Sequence, residues 1–288
     1  MTQPTPRIFH SADLRPPQRK ALTERVMEHY PGQFASLEEA GDYLHHIFVP
    51  ASLRWACSGN SKAGTTTVKR ALFQLEFGVP LSVEVQADEL NDDHVPHLLP
   101  RAGVFRTLSN LPSALQVLGK ALRLTMARHP TARAISSFLY ICHSQTRAHS
   151  LLSDDRFRMN ALVGFDWTRD SGTARGFEKF LSYLQLNGAP GSERLNDPHL
   201  RPQVQNVRPE LFKPDLIGRT EDLAPFFRQI AERLGQSWPA DWHPPQSNRQ
   251  TPPFDRASLL TPTTLRLIET VFEPDFAWLG EDPQSWKP

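Results

Sequence analysis

The sequence has few cysteines and no long hydrophobic run. Its 288 residues include two cysteines, Cys57 and Cys142, both in apolar contexts and far from any C-x-x-C pair. We therefore expect two buried thiols, with neither a disulfide framework nor a cysteine-based metal site. An uninterrupted apolar run of about eighteen residues is absent, so we expect no membrane-spanning helix. The N-terminal residues lack the pattern of a signal peptide, which favours a cytoplasmic protein.

An excess of charge of one sign is also missing. The formal net charge is +1, from 32 basic and 31 acidic residues, which argues against a dedicated nucleic-acid-binding protein but allows a local basic pocket. The composition, 39% hydrophobic and 22% charged, is that of a soluble globular protein, and the 26 prolines predict long connecting loops. We predict an irregular N-terminal arm over residues 1–17 and a single domain over residues 18–288.

A complete nucleoside-triphosphate loop is the third absence. Gly59 and Gly64 have the G-x-x-x-x-G spacing, but Thr65 and Thr66 follow where lysine and a hydroxyl residue are required. The lysine, Lys62, instead precedes the second glycine. Glycine, hydroxyls and the N–H groups that open a helix still form an anion cradle. This segment therefore predicts a phosphate-like ligand held differently from the nucleotide of a magnesium-dependent ATPase.

Two strand–turn–helix units can be recognised from hydrophobic periodicity. Residues 55–57 predict a buried strand, and a helix follows from Thr66 to about Gly78. Residues 122–127 alternate as a strand does, and apolar positions within 135–142 line one face of a second helix. Strands alternating with helices favour a parallel sheet, whose ligands bind at the carboxyl ends of the strands.

Elsewhere the pattern predicts further helices, one strand and several loops. The expected helices cover about residues 18–30, 36–47, 112–121, 177–184, 223–234 and 262–273, and residues 216–218 predict a strand. We expect loop-rich segments at 148–175 and 188–209, and a proline-rich surface loop or lid at 239–253. The acidic and histidine residues of 92–97 fall in a predicted loop, where polar residues commonly collect, and we expect no metal site there.

The two turns call for a ligand with two separated anionic groups. Lys62 and the hydroxyls of residues 65–67 can hold one group. Arg128 at the end of the second strand and Ser136 on the following helix can hold the other. Arginine suits bidentate contact with phosphate, and the hydroxyl adds a donor.

These segments resemble the carbohydrate sulfotransferases of the HNK-1 and chondroitin/dermatan type. Residues 62–70 (KAGTTTVKR) resemble their 5′-phosphosulfate-binding motif, and residues 128–138 (RHPTARAISSF) resemble their 3′-phosphate-binding motif. The resemblance continues through residues 177–180 (FEKF), 199–203 (HLRPQ), 216–221 (LIGRTE) and 272–280 (FEPDFAWLG), and it covers about residues 55–281.

The resemblance implies a P-loop-like α/β sulfotransferase fold with a central parallel sheet flanked by helices. It implies 3′-phosphoadenosine 5′-phosphosulfate (PAPS) as donor, its bisphosphate (PAP) as leaving group, a sugar hydroxyl as acceptor and no metal. The 5′-phosphosulfate would be bound by Lys62, Gly64, Thr65, Thr66 and Thr67, and the 3′-phosphate by Arg128 and Ser136. The sequence departs from the family at His129, usually aspartate, at Leu200, usually tryptophan, and at Phe272, usually tyrosine.

The acceptor hydroxyl needs a general base, and histidine is the natural choice near neutral pH. We predict His199 as that base, although an aspartate or glutamate is an alternative, and Lys62 as the group that stabilises the leaving oxygen. Arg201 and Gln203 are expected to contact the sugar or to close the donor site.

Other functions stay open at this point. A small-molecule or protein acceptor, a kinase with a degenerate phosphate loop, and a non-catalytic nucleotide-binding protein are the alternatives. The sequence does not define the acceptor or the oligomeric state.

Overall fold

A five-stranded mixed sheet forms the centre of the protein. The computed structural model describes residues 8–10, 13–86, 90–91, 93–188, 197–239, 242 and 255–286. The strands are β1 (Ile47–Pro50), β2 (Trp55–Ser58), β3 (Phe105–Thr107), β4 (Leu122–Ala127) and β5 (Leu216–Arg219), arranged in the order β3-β1-β2-β4-β5.

The sheet is parallel only where the donor motifs lie. β2, β4 and β5 are parallel neighbours, whereas β1 pairs antiparallel with both β2 and β3. The predicted strands are confirmed and form the parallel centre of the sheet, and β1 and β3, which the sequence did not predict, add an antiparallel part at one side. β1 follows directly on the helix that ends at His46, so the sequence does not show where that helix stops and the four buried residues of the strand begin. Short apolar runs do not distinguish strand from helix.

Helices flank both faces of the sheet. They are α1 (Pro16–His29), α2 (Leu37–His46), α3 (Thr65–Phe77), α4 (Val95–Leu98), α5 (Ala114–Lys120), α6 (Pro130–Thr146), α7 (Ser153–Val163), α8 (Ala174–Asn187), α9 (Gln203–Val207), α10 (Pro209–Phe212), α11 (Leu223–Arg233), α12 (Pro262–Val271) and α13 (Glu273–Leu279). Among the described residues, none of these helices is long and apolar enough to cross a bilayer.

Most predicted helices are confirmed, with shifted ends. α1 begins at Pro16, inside the predicted arm, because proline is well suited to the first turn of a helix. α7 lies in the segment expected to be loop-rich. The sequence did not predict this helix, because its apolar residues do not recur with a helical period. α9 and α10 interrupt the segment expected to be irregular, while residues 189–196 of that segment lie outside the described residues. So does most of the predicted loop at 239–253.

Three apolar clusters hold these layers together. One packs α3 and α11 on one face of the sheet around Trp55 and Phe227, and a second packs α1, α2 and α5 on the other face around Leu44. The third joins α6, α8 and α12 around Phe138. Cys57 and Cys142 are both free and buried, as predicted. This packing fixes the loops that follow β2, β4 and β5 at one edge of the sheet.

Candidate active site

The loop between β2 and α3 is held in a tight turn by its own backbone. Lys62 and Gly64 both have positive φ angles, 65° and 75°. The hydroxyl of Thr65 donates to the carbonyl of Asn60 at 2.9 Å, which ties the start of α3 back to the end of the strand. A Cβ on Gly64 would lie 3.3 Å from Cγ2 of Thr220, so glycine also gives the room that this close approach needs. The N–H groups of the first turn of α3, which have no acceptor within the helix, therefore lie next to the space that this glycine leaves.

Lys62 is the cation of this loop. Its Nζ lies 3.9 Å from the centroid of the Tyr140 ring, and the side chain is only partly exposed. Desolvation by burial, reinforced by the positive charges of Arg128 and Arg133, lowers the pKa of Lys62 from 10.5 to about 7. An anion in the cavity would reverse the effect of these charges and raise the pKa again.

The loop between β4 and α6 brings a permanent cation to the same place. Nη1 of Arg128 donates to the carbonyl of Lys62 at 3.3 Å, so the two loops touch directly. Burial lowers the pKa of Arg128, but an arginine stays charged at neutral pH. The adjacent His129 caps α6, since its Nδ1 accepts from the backbone N–H of Thr131 at 3.3 Å. Ser136 lies further along α6.

The two loops line one cavity of about 440 Å³. The residues predicted to bind the donor or to act in catalysis all line it: Lys62, Gly64, Thr65, Thr66, Thr67, Arg128, Ser136 and His199. The cavity is also lined by residues to which the sequence gave no role, among them Asn91, His97, Tyr140, Thr220, Glu221 and Trp286. The signal for Tyr140 was available, because it lies four residues after Ser136 on the same face of a predicted helix. Lys69 and Arg70 do not line the cavity; Arg70 instead pairs with Asp93 at 2.6 Å.

Gln203 fastens the two loops to each other from behind. It is fully buried, and its Oε1 accepts from Nδ2 of Asn60 at 2.9 Å and from the backbone N–H of Arg128 at 3.0 Å. Its Nε2 donates to the carbonyl of Arg128 at 2.9 Å. Both N–H groups at 203 and 204 donate to the buried carboxylate of Asp275, at 2.8 and 2.9 Å.

Arg201 belongs to the same buried network. It is 1% exposed, its Nη2 pairs with Asp42 at 2.6 Å, and its Nε donates to Oδ1 of Asn206 at 2.6 Å. Neither Arg201 nor Gln203 lines the cavity formed by the two loops, so the expected contact with the sugar stays a prediction, while Gln203 supports the site by joining its loops. Buried polar side chains are stable only when their polar groups are hydrogen-bonded, and the polar groups of Arg201 and Gln203 bind partners within this network.

Arg133 completes this network and was also missed. Its guanidinium donates to the carbonyls of Ser61, Arg201 and Pro198 at 3.0, 2.8 and 3.0 Å. Burial lowers the pKa of Arg133 to about 10, so it stays charged at neutral pH. The contact with the Ser61 carbonyl anchors the first loop. No sequence signal separates such a buried arginine from a surface one on an α-helix.

His199 is oriented by Asp197. Its Nδ1 lies 2.7 Å from Oδ1 of Asp197, and its backbone N–H donates to the same oxygen at 2.9 Å. Burial raises the pKa of Asp197, but the hydrogen bonds and charge of His199, with the charge of Arg201, outweigh it and lower that pKa overall. The His199 ring stacks on Tyr140, with centroids 4.9 Å apart. Tyr140 therefore contacts both Lys62 and His199, the two residues predicted to be catalytic.

The predicted loop at 92–97 contains no metal cluster in its described part. Both carboxylate oxygens of Asp93 are bound by Arg70, at 2.6 and 2.7 Å, and residue 92 lies outside the described residues. Across the part of the chain that the structure describes, no group of three or more His, Cys, Asp or Glu residues is placed to hold a metal ion.

Three parallel strands, a loop shaped by Gly64 and a second cationic loop on the neighbouring strand form a positively charged cavity in an α/β fold, which suits an anionic ligand. The chain matches the model of the sulfotransferase family over residues 61–278, well over half of its length, and it belongs to that family, sulfotransferase family 2. It is therefore a sulfotransferase with a mixed α/β fold, and membership implies PAPS as sulfate donor. Comparisons with curated proteins and with solved structures give no match.

Proposed function

We propose that this sulfotransferase transfers a sulfuryl group from PAPS to a hydroxyl of a carbohydrate or glycoconjugate, with PAP as the leaving group. One observation carries the donor assignment. The loops after β2 and β4 place Lys62 and Arg128 in one cavity and are joined by the hydrogen bond from Arg128 to the Lys62 carbonyl. Two adjacent cationic loops suit a ligand with two anionic groups better than a single phosphate.

The glycine cradle is the proposed site of the 5′-phosphosulfate. Gly64, with its positive φ, lies at the start of α3, where the N–H groups of the first turn suit an anion and the hydroxyls of Thr66 and Thr67 are further donors. Thr65 would contribute its backbone N–H, because its hydroxyl donates to the Asn60 carbonyl. Arg128 and Ser136 are the proposed partners of the 3′-phosphate, because they face the same cavity from the neighbouring strand and helix.

Lys62 is the proposed electrostatic catalyst. PAPS supplies the sulfuryl group, whose S–O bond to the 5′-phosphate breaks as a new S–O bond forms to the acceptor oxygen. Lys62, protonated beside the anionic donor, neutralises the charge that develops on the phosphate oxygen. Such preorganised charge stabilises a transition state most in a site that excludes water.

His199 is the proposed general base. The carboxylate of Asp197 accepts a hydrogen bond from the Nδ1–H of His199. Nε2 of the imidazole is then the nitrogen that can take the proton of the acceptor hydroxyl. His199→Ala should lower kcat about a hundredfold with little change in PAP affinity. Asp197→Asn should lower kcat less, because the imidazole loses its orientation but keeps its basic nitrogen. Equal kcat in His199→Ala and the wild type would transfer the base role to another residue.

The carbohydrate acceptor is supported by the resemblance of residues 62–70 and 128–138 to carbohydrate sulfotransferases. A small molecule or a protein hydroxyl is the alternative acceptor.

An acceptor screen tests the function. The protein is incubated with PAPS in EDTA against a panel of glycans, phenols and tyrosine peptides, and release of PAP is measured, with Lys62→Ala as the low-activity control. We expect acceptor-dependent release with at least one glycan. Tight PAP binding without release on any acceptor would indicate a non-catalytic nucleotide-binding protein, and magnesium-dependent ATP turnover would indicate a kinase.

A further inference from the structure

The segment that follows α13 forms a strap over the loop after β4. This strap, residues 281–286, lies beyond residues 61–278, which match the family model. Arg219 at the end of β5 holds it in place, with Nη1 3.1 Å from Oε1 of Glu281 and Nη2 donating to the Leu279 carbonyl at 3.0 Å. The strap is therefore fixed to the sheet at the edge where the donor cavity opens.

His129 makes the second attachment. Its Nε2 lies 3.2 Å from the hydroxyl of Ser285 and 3.4 Å from the carbonyl of Asp282. His129 stands where the carbohydrate sulfotransferases that the chain resembles usually have aspartate. An aspartate there would be too short to make these contacts, so in this chain the attachment of the strap depends on the imidazole of His129.

Trp286, at the end of the strap, forms part of the cavity wall. Its ring is nearly parallel to that of His129, with an angle of 25° and centroids 6.5 Å apart. The side chain is half-buried and lines the cavity together with Arg128, Thr220 and Glu221. Among the described residues that line the cavity, Tyr140 and Trp286 are the phenyl or indole side chains, and Tyr140 is already covered by Lys62 and His199.

The indole of Trp286 lies beside the third loop of the site, the one that follows β5. β4 lies between β2 and β5 in the sheet, so the loops that follow them come in the order Lys62, Arg128, Thr220 along one edge. The first two loops carry the cations that suit the two anionic groups. The strap beside the third loop adds the face of an indole ring. Such a face carries no positive charge for a phosphate, but a flat base can stack on it.

We propose that Trp286 is the stacking platform for the purine base of the nucleoside 3′,5′-bisphosphate donor. Bases stack on aromatic side chains whatever their sequence context, because each base has a π-face. The strap thus makes a segment outside the family-matched region part of the donor site. This inference rests on the proposed function, since it takes PAP as the ligand of the cavity.

The test separates base recognition from phosphate recognition. The dissociation constants of PAP and of base-free ribose 3,5-bisphosphate are measured by calorimetry for the wild type, Trp286→Ala, Trp286→Leu and Trp286→Phe, with the exposed strap residue Gln284→Ala as the matched control. We expect Trp286→Ala and Trp286→Leu to weaken PAP binding about tenfold and to leave the base-free ligand unchanged. Trp286→Phe should retain most of the PAP affinity.

Two outcomes would overturn the inference. An equal loss for both ligands would mean that Trp286 only holds the strap in place, and no loss for PAP would mean that the base lies elsewhere. Trp286→Leu keeps an apolar side chain at this position, so it decides the question even where Trp286→Ala does not fold. Failure of the wild type to bind PAP would instead contradict the proposed function, and the two failures are therefore distinguishable.

Discussion

The loops after β2 and β4 each place a cation in the same cavity, but they do so with different structures. The first is shaped by backbone, with positive φ at Lys62 and Gly64, and its cation has a pKa lowered to about 7. The second is a short connection whose cation, Arg128, stays charged, and whose backbone N–H and carbonyl are both bound by Gln203. One loop carries a charge that responds to its ligand, and the other carries a fixed charge.

This difference indicates a division of labour. A group whose protonation depends on the anion beside it suits the place where charge changes during a reaction. A permanent guanidinium suits a part of the ligand whose charge is constant, because it binds ground state and transition state alike. Lys62 also contacts Tyr140, which stacks on His199, whereas the guanidinium of Arg128 donates to the Lys62 carbonyl. Substitutions in the first loop should therefore act mainly on kcat, and those in the second mainly on PAP affinity.

The largest effect is expected at the first loop. Lys62→Ala should lower kcat about a hundred- to a thousandfold, because it removes charge stabilisation at the leaving oxygen. The dissociation constant of PAP should change much less. Lys120→Ala, which alters an exposed lysine at the end of α5, is the control. Steady-state kinetics measures kcat, and calorimetry measures the dissociation constant of PAP. An unchanged kcat would show that Lys62 does not take part in catalysis.

The opposite pattern is expected at the second loop. Arg128→Ala should raise the dissociation constant of PAP about thirtyfold, the effect of losing a charged hydrogen-bonding partner. At saturating PAPS, kcat should stay within a few-fold of the wild type. Ser136→Ala, which removes a neutral donor on the same side, should give a smaller loss of affinity. If Arg128→Ala instead lowered kcat as strongly as Lys62→Ala, the division between the loops would be wrong.

How far the sequence predicted this site depends on whether the information is local. Each loop follows a recognisable strand and opens a periodic helix, so Lys62, Gly64 and Arg128 could be located from their neighbours in the chain. The parallel arrangement of β2, β4 and β5 followed from the same alternation. β1 and β3 were missed because each is a strand of three or four residues without an alternating pattern.

The supporting residues could not be predicted for a different reason. Gln203 and Arg201 looked like ligand contacts in a polar segment, but their partners Asn60, Arg128 and Asp42 lie 75 or more residues away in the chain. Such a network depends on the folded geometry and leaves no periodicity. Trp286 likewise reaches the cavity only because the strap turns back over His129.

Gln203 offers a way to disturb both loops at once. Gln203→Leu should lower the free energy of unfolding by about 2 kcal/mol, because it leaves the Asn60 side chain and the backbone of Arg128 without buried partners. It should also weaken PAP binding and lower kcat together, by smaller factors than either loop variant. Gln205→Ala, on the exposed side of the same short helix, is the matched control, and both are followed by urea unfolding. Loss of affinity with full kcat would mean that Gln203 supports the second loop alone.

The smallest expected effect is the uptake of protons on PAP binding, and it tests directly whether the charge of the first loop responds to its ligand. In the free protein the pKa of Lys62 is lowered from 10.5 to about 7, so between these values the lysine is largely neutral in the fold and charged in the unfolded chain. The unfolded chain then binds more protons, and this group makes the free protein more stable as pH rises from about 7 towards 10.5. A bound anion raises the pKa of Lys62, so PAP binding at pH 8 should take up close to one proton, and PAP affinity should fall as pH rises above 7. Calorimetry in two buffers of different ionisation enthalpy measures that uptake, and Lys62→Met should abolish it while Arg128→Ala should leave it largely intact. An uptake that survived Lys62→Met would show that the responsive charge does not belong to the first loop.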